Sequence, residues 1–498
     1  MISPNLTTDN IPDEVLLEIF DSYRQHFTND QSLWNKKHKW FELIHVCRRW
    51  RFIIFASSTR LDLCLVVSTN NPGNMKTIFS PHLPPLPIAV DQCLPVGTAS
   101  HVKAKEMGRV LSALKRCNRV RGITFSGIAP DFNRLFKATK HPFPMLENLE
   151  LCNLDTGITV LKLPATFLNG SAPHLQSLKL YWISLTSMSS LLSSTTMLTE
   201  LCLRICTSSP TASLLAHLKD MHCLRHFKLQ TLQTFSSINS LMPPTNPEDT
   251  FLLSKLTSFQ YQGSNLFLNA LVAGFTAPSL QDVHFILDGD NDHADPISHL
   301  SRFLDGVEKL YHSVQMISEG DYFRISLFTH SEPVDHDTPS FSFCSVCSPV
   351  SIMRMSAALS AKLSTVEELF IVFIDDYYDW WDGGTRWPAF LQHFHNVKVL
   401  RLEHEEVFDL ADTMQLDDEP ILNFLPMLEE IEIHLRWAER SPASPHQNQH
   451  VISSELGMAA FRQFLAARQE AGRPVKIFGS QRAPFPDQNL HTLFCSYL

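Results

Sequence analysis

Apolar positions recur along this chain at a fixed internal spacing. From residue 120 onward the pattern apolar-x-x-apolar-x-apolar returns as Val120/Ile123/Phe125, Leu146/Leu149/Leu151, Leu175/Leu178/Leu180 and Leu198/Leu201/Leu203. It continues as Leu224/Phe227/Leu229, Leu256/Phe259/Tyr261 and Leu280/Val283/Phe285, and resumes after a break as Val366/Leu369/Ile371, Val397/Leu400/Leu402 and Leu428/Ile431/Ile433. Successive first positions lie 26, 29, 23, 26, 32, 24, 86, 31 and 31 residues apart. Eight of nine intervals between 23 and 32 are a period that scattered leucines do not produce. The last two anchors of each unit are two residues apart, so they share one face of a short strand and point inward; the first turns in from the approach. The chain then crosses back, usually as a helix. Stacked units of this kind make a parallel sheet with helices outside, each unit burying its face only against its neighbours. At ~1.5–3 kcal/mol per buried large apolar side chain, three anchors must offset the ordering entropy of a whole unit. A single repeat would not fold alone.

The long interval is three average periods. It holds a helical stretch around Pro296 to Tyr311, an apolar run Phe323 to Phe328, a His/Asp/Pro-rich loop around Ser331 to Pro339, and Phe341 to Val346. Two degenerate strands are expected within residues 290–360, with the array continuing through them. A polar Pro/Ser/Gln-rich loop follows at residues 441–450, then a helix Leu456 to Arg468 and a closing strand Val475 to Phe478. Ahead of the repeats, Leu61 to Val67 and Leu86 to Val90 read as strands around an irregular, Pro-rich junction, residues 68–100.

At the head, Leu43, Val46, Cys47, Trp50, Ile53 and Ile54 fall at the spacing of one helical face within Trp40 to Phe55. Ile11-Pro12-Asp13-Glu14 opens an earlier helix with proline at its first position and two acids against the N-terminal dipole. Leu16, Ile19, Phe20 and Tyr23 form its stripe. Helices this short and apolar need either the following domain or a partner to cover them. The expected division is a helical domain at 1–58 and a repeat body at 59–498.

Composition narrows the function classes. The chain has 498 residues, 44% apolar and 18% charged, an ordinary globular balance. A net charge of −10 argues against a general nucleic-acid binder. The charge is unevenly placed: residues 367–440 hold eighteen acids and five bases, whereas residues 24–51 hold seven bases and two acids. Eleven scattered cysteines suit buried thiols in a reducing compartment. Residues 1–10 lack the basic and apolar regions of a secretory signal, and no run of 18 apolar residues occurs. The expected setting is cytoplasm or nucleus.

The head resembles an F-box. Ile11-Pro12-Asp13-Glu14-Val15-Leu16-Leu17-Glu18-Ile19-Phe20 matches the family's opening, and Val46-Cys47-Arg48-Arg49-Trp50-Arg51-Phe52-Ile53 matches its second signature. With a leucine-rich-repeat-like body behind it, the whole resembles the large F-box family of mushroom-forming fungi. The stretch between the signatures is longer and more basic than the usual F-box spacing, with Leu33 to Lys39 where the middle helix would fall. The resemblance implies an α/β protein with an N-terminal helical F-box and a leucine-rich-repeat-like solenoid. It also implies binding to the Skp adaptor of a cullin–RING ubiquitin ligase, with the repeats holding a protein substrate. The adaptor-binding residues would be Ile11, Pro12, Leu16, Ile19, Phe20, Leu43, Val46, Cys47, Trp50 and Ile53. The other reading makes the chain a stand-alone scaffold or sensor whose helices only cap the repeats.

Further constellations are weaker. Asp375, Asp376, Tyr377, Tyr378, Asp379, Trp380, Trp381 and Asp382 follow a strand directly, and Glu403, Glu405 and Glu406 follow the next. Such loops could meet a basic partner, or simply tuck their tryptophans under a helix while the acids stay solvated. Cys344 and Cys347 form a lone CxxC, and His330 and His336 stand in an irregular order beside it; a structural zinc needs four ligands, so no metal is expected. There is no Gly-x-Ser-x-Gly, phosphate loop, His-Glu-x-x-His or dinucleotide fingerprint. No catalytic site, cofactor, nucleic-acid contact or membrane contact is expected.

Overall fold

A computed structural model describes residues 11–26, 40–68, 85–93, 100–155, 160–184, 189–206, 211–232, 250–287, 298–307, 309–319, 322–330, 339–346, 355–373, 390–403, 425–434 and 461–480. The chain divides into two compact units, Met1–Ser209 with Ala216–Leu224, and Pro210–Leu215 with Arg225–Leu498. Both are mixed α/β, and both are ladders of short, mostly parallel strands.

In the first unit the head contributes helices α1 (Asp13–His26), α2 (Trp40–Leu43) and α3 (Arg48–Ala56). Six strands follow: β1 (Leu65–Ser68), β2 (Ile88–Cys93), β3 (Val120–Gly127), β4 (Asn148–Asn153), β5 (Ser177–Tyr181) and β6 (Glu200–Cys206), paired in that order and all parallel. Between them run α4 (Ser100–Leu114), which packs on β1 and β2, and α5 (Ala129–Ala138), which packs on α4. Pro130 and Asp131 in its first turn explain where α5 starts. A shorter helix, α6 (Ser189–Ser194), precedes β6.

The second unit has β7 (His226–Leu232), a small pair β8 (Phe251–Leu252) and β10 (Phe275–Thr276), β9 (Ser258–Gly263), and β11 (Asp282–Leu287). Then come β12 (Ser313–Glu319), β13 (Tyr322–Phe328), β14 (Phe341–Val346), β15 (Glu368–Phe373), β16 (Val399–Glu403), β17 (Glu430–His434) and β18 (Lys476–Ser480). Helices α7 (Asn265–Val272) and α8 (Ser298–Asp305) pack on each other. Ser264 caps α7 by accepting from the Phe267 amide at 3.3 Å.

The thirty repeat anchors all sit on or just before these strands, and twenty-nine are at most 3% exposed. Ile433 is the exception, because its neighbour in register, Gly479, has no side chain to cover it. A fourth anchor escaped the sequence pattern. Three residues before the first, Phe143, Ala172, Met221, Leu253, Leu363 and Leu425 are buried, and their carbonyls accept from the first anchor's amide at 2.9–3.2 Å. Each approach is therefore a closed turn. It is locked to the preceding repeat by a shared carbonyl: Glu147 O accepts from Gln176 and Ser177, Gln176 O from Thr199 and Glu200, and Lys398 O from Glu429 and Glu430. Cations add staples, as where Lys309 Nζ donates to Gln281 O at 2.8 Å and Lys362 Nζ to Val307 O.

Two expectations need correction here. Among its described residues the 86-residue interval holds three strands rather than two, and the sheet is not parallel throughout. β13 runs antiparallel to both neighbours, giving the order β11-β14-β13-β12-β15. The pairing of β12 and β13 reaches Glu319↔Tyr322, leaving only Gly320-Asp321 to join them, and a link that short permits only an antiparallel pair. The missed strand β12 does obey the repeat spacing, through buried Tyr311, Val314 and Met316.

Candidate functional site

The head is two-faced. Leu16, Leu17, Phe20, Trp40, Ile44, Ile53 and Ile54 form one core with Leu61, Leu63, Leu65 and Leu86, with Ile11, Leu43, Trp50 and Phe55 packed against it. Phe20 meets Trp50 edge-on at 4.8 Å between ring centroids. Other apolar side chains of the head point outward: Val15, Ile19 and Val46 are 47%, 47% and 57% exposed, and Phe52 73%. Pro12 is exposed as well.

The single helical face read over Trp40 to Phe55 is broken in the structure. α2 ends at Leu43, and Cys47 is extended at φ −153, ψ 172, where its Sγ accepts from the Trp50 amide at 3.4 Å and opens α3. Arg51 Nε donates to Ile44 O at 3.0 Å across the break. The break reverses two positions: Ile44, off the stripe, is buried, and Val46, on it, faces out. Of the ten candidate residues, Leu16, Phe20 and Ile53 hold the head together and do not face outward in this conformation. Pro12, Ile19 and Val46 do face outward. Val15 and Phe52 were missed because their periodicity belongs to the outer faces of the helices.

Ion pairs fix the helices to each other. Arg49 Nη2 lies 2.6 Å from Asp13 Oδ1 and also donates to Ile11 O at 2.5 Å. Arg60 pairs with Glu18. Tyr23 donates to Glu42 Oε2 at 2.7 Å, and that bond to a carboxylate holds its hydroxyl proton above the ordinary tyrosine range.

On the sheet face away from the repeat core, the first unit carries Glu150, Lys179 and Glu200 in adjacent strands, with Lys179 Nζ 2.8 Å from Glu200. Burial raises the Glu150 carboxyl and the Cys152 thiol, so neither is tuned toward its charged form. Trp182 sits at φ +63, and the Arg204 guanidinium lies 4.8 Å from its ring centroid. In the second unit Arg401 links Glu432 at 2.9 Å to Glu368 at 3.4 Å, and Lys398 holds Glu367 at 2.8 Å.

Asp375, Asp376, Tyr377, Tyr378, Trp380, Trp381 and Glu405 lie outside the described residues, and Glu403 ends β16 beside His434. Cys344 is buried in β14; Cys347 and His336 are outside the described residues. Among the described residues no group of three or more His, Cys, Asp or Glu side chains is placed to hold a metal ion, and no helix is long and apolar enough to cross a membrane.

No protein-family model matches the sequence, and no curated protein matches it either. Eleven chains of solved structures do match. One is the leucine-rich repeat-containing protein LegL7 from Legionella pneumophila, 10% identical over 80% of this chain and 98% of that one, with a TM-score of 0.25. A likeness that distant carries no argument, and the repeat assignment rests on the ladder itself.

Proposed function

We propose that the chain is the substrate-recognition subunit of a Skp–cullin–F-box ubiquitin ligase. The head docks the Skp adaptor and the repeat body holds the protein to be ubiquitylated. The observation that carries this reading is the two-faced head. Its inner face is satisfied by Leu61, Leu63 and Leu65, yet Val15, Ile19, Val46 and Phe52 present a second apolar set outward. Exposed apolar side chains on short helices suit a helix-mediated interface. The two F-box-like signatures name the partner. The chain itself performs no chemistry in this reading, needs no cofactor, and works in the cytoplasm or nucleus.

The test is co-expression with a Skp adaptor. Ile19→Asp and Val46→Asp should abolish co-purification while leaving the free chain's melting unchanged, since exposed positions usually shift stability by under about 0.5 kcal/mol. Absence of any association, or normal association of both variants together, sinks the proposal. A second reading, in which the head only caps the repeats, is favoured by burial of Leu16, Phe20, Ile53 and Ile54. It predicts that removing residues 1–56 costs solubility while no adaptor binds.

A further inference from the structure

The turns that lead into β4, β5 and β6 stack in register. Asn148 pairs with Ser177 and Ser177 with Glu200, and three residues before each stand Met145, His174 and Met197. Each is the second residue of a two-residue turn: Pro144-Met145, Pro173-His174 and Thr196-Met197. Leu146 N donates to Phe143 O at 3.1 Å and Leu175 N to Ala172 O at 3.1 Å, closing the first two turns. The shared carbonyls Glu147 O and Gln176 O tie each repeat to the next just past these turns.

All three side chains are open to solvent. Met145 and Met197 are 46% and 51% exposed, and His174 is exposed between them. Methionine is ordinarily among the more buried residues. The next turn, His222-Cys223, sets a thiol at the same position and belongs to the same compact unit. Elsewhere that position holds Arg119, Lys255, Ser279, Thr365 and Asn396. Met, His and Cys together are 48 of the 498 residues, so four in succession at one turn position is not what composition gives.

The row is a set of soft donors. Neighbouring parallel strands lie about 4.8 Å apart, so each methionine starts one strand spacing from His174. Its three rotatable side-chain bonds let the sulfur swing toward the imidazole. Thioethers favour soft ions such as Cu(I), and imidazole also suits copper. The three donors are neutral and bring no negative charge to offset a dication. The acids beside the row are committed: Glu147 lies 2.6 Å from Arg121 Nε, and Glu200 lies 2.8 Å from Lys179 Nζ.

From this arrangement we propose that Met145, His174 and Met197 form a three-coordinate site for a soft monovalent ion of the Cu(I) class. The two thioether sulfurs and the imidazole between them are its ligands, and the ion binds without any redox step. The site belongs to the turns of the repeat body and is independent of adaptor docking.

The probe is Ag(I), a redox-inert counterpart of Cu(I), titrated in chloride-free buffer into the full chain labelled at the methionine methyl carbons for NMR. Met145→Leu and Met197→Leu assign the two resonances. Met427 is the internal control: it is 50% exposed at the same turn position, but the preceding repeat offers Asn396 beside it. All methionines meet the same free Ag(I), so uptake by cysteines does not bias the comparison. The Met145 and Met197 methyls should shift together, at a free Ag(I) level at least about tenfold below that which moves Met427, because donors held side by side act as one multivalent site. His174→Asn should erase that gap while leaving melting unchanged, as an exposed position allows; His174→Gln repeats the test if the first variant alters the fold. Zn(II) should leave both methyls in place. An equal response of Met427 reduces the row to separate exposed thioethers and overturns the proposal. Movement of one methyl alone, a gap that survives both His174 variants, or an equal response to Zn(II) overturns it as well.

Discussion

Arg468 offers the sharpest test of how the end of the ladder is held. It lies in the helical stretch 461–470, is 1% exposed, and is the largest fully buried side chain among the described residues. Its guanidinium donates to Leu425 O at 3.2 Å and Leu428 O at 3.0 Å, reaches Pro426 O at 3.5 Å, and lies 5.8 Å from the Phe464 ring. These carbonyls belong to the turn that leads into β17, where Leu425 adopts φ +44. Burial lowers the Arg468 pKa, the mark of a charge held at a cost. Replacement by methionine keeps most of the volume and removes the donors. A hydrogen bond to a charged group is worth ~1.5–3 kcal/mol, and the 3.5 Å contact counts for little. Leu425 O keeps its bond from the Leu428 amide at 2.9 Å, so Leu428 O loses most. Two bonds lost, offset by release from burying a cation, leave a net loss of about 2 kcal/mol. A chain this long does not unfold in one step, so local hydrogen exchange is the suitable assay. The amides of residues 428–434 and 476–480 should exchange about thirtyfold faster in Arg468→Met, and Arg468→Lys should fall between. Unchanged or slower exchange would refute the reasoning, because the desolvation cost would then exceed the hydrogen bonds.

Other outcomes can be checked alongside. Gly263 sits at φ +146, and a Cβ there would meet Thr231 Oγ1 at 1.9 Å and Thr231 O at 3.0 Å. Gly263→Ala should therefore destabilise the second unit by more than about 1 kcal/mol in thermal melts. His284 is held below the ordinary histidine pKa, first by burial, with Arg324 of β13 and Lys228 of β7 adding and Asp282 opposing. The unfolded chain then binds the proton more readily, so stability should drop as pH falls below about 6.5, and His284→Gln should flatten that slope in urea titrations. Phe259 stacks on Phe227 and meets Phe275, Phe285 and Phe303 edge-on, all within 6.1 Å between centroids. Phe259→Ala should cost ~3–5 kcal/mol, against well under 1 kcal/mol for Phe478→Ala at the exposed edge.

The repeat was legible because its signal is local. Two anchors on one strand face need only a period of two, and burial against like neighbours follows from repetition, so ten strands could be placed from spacing alone. The strand β12 was passed over although Tyr311, Val314 and Met316 keep the correct spacing and are buried. The Gly320-Asp321 link was also in plain view as a hairpin signal between two apolar runs. What spacing could not give was the order β11-β14-β13-β12-β15, since strand order depends on which edges are free once the whole sheet has assembled.

The head shows the same division. Its sequence determined that there would be apolar helices, where the first begins, and that their faces would need covering. Only the tertiary structure decided which face was covered. A thiol cap at Cys47 and the Arg51 bond to Ile44 break the helix, and one residue of phase carries Ile44 inward and Val46 outward. A helical pattern reports that a side chain is apolar and in register. Whether it becomes core or docking surface depends on what packs beside it, and that is a property of distant segments, here Leu61 to Leu65.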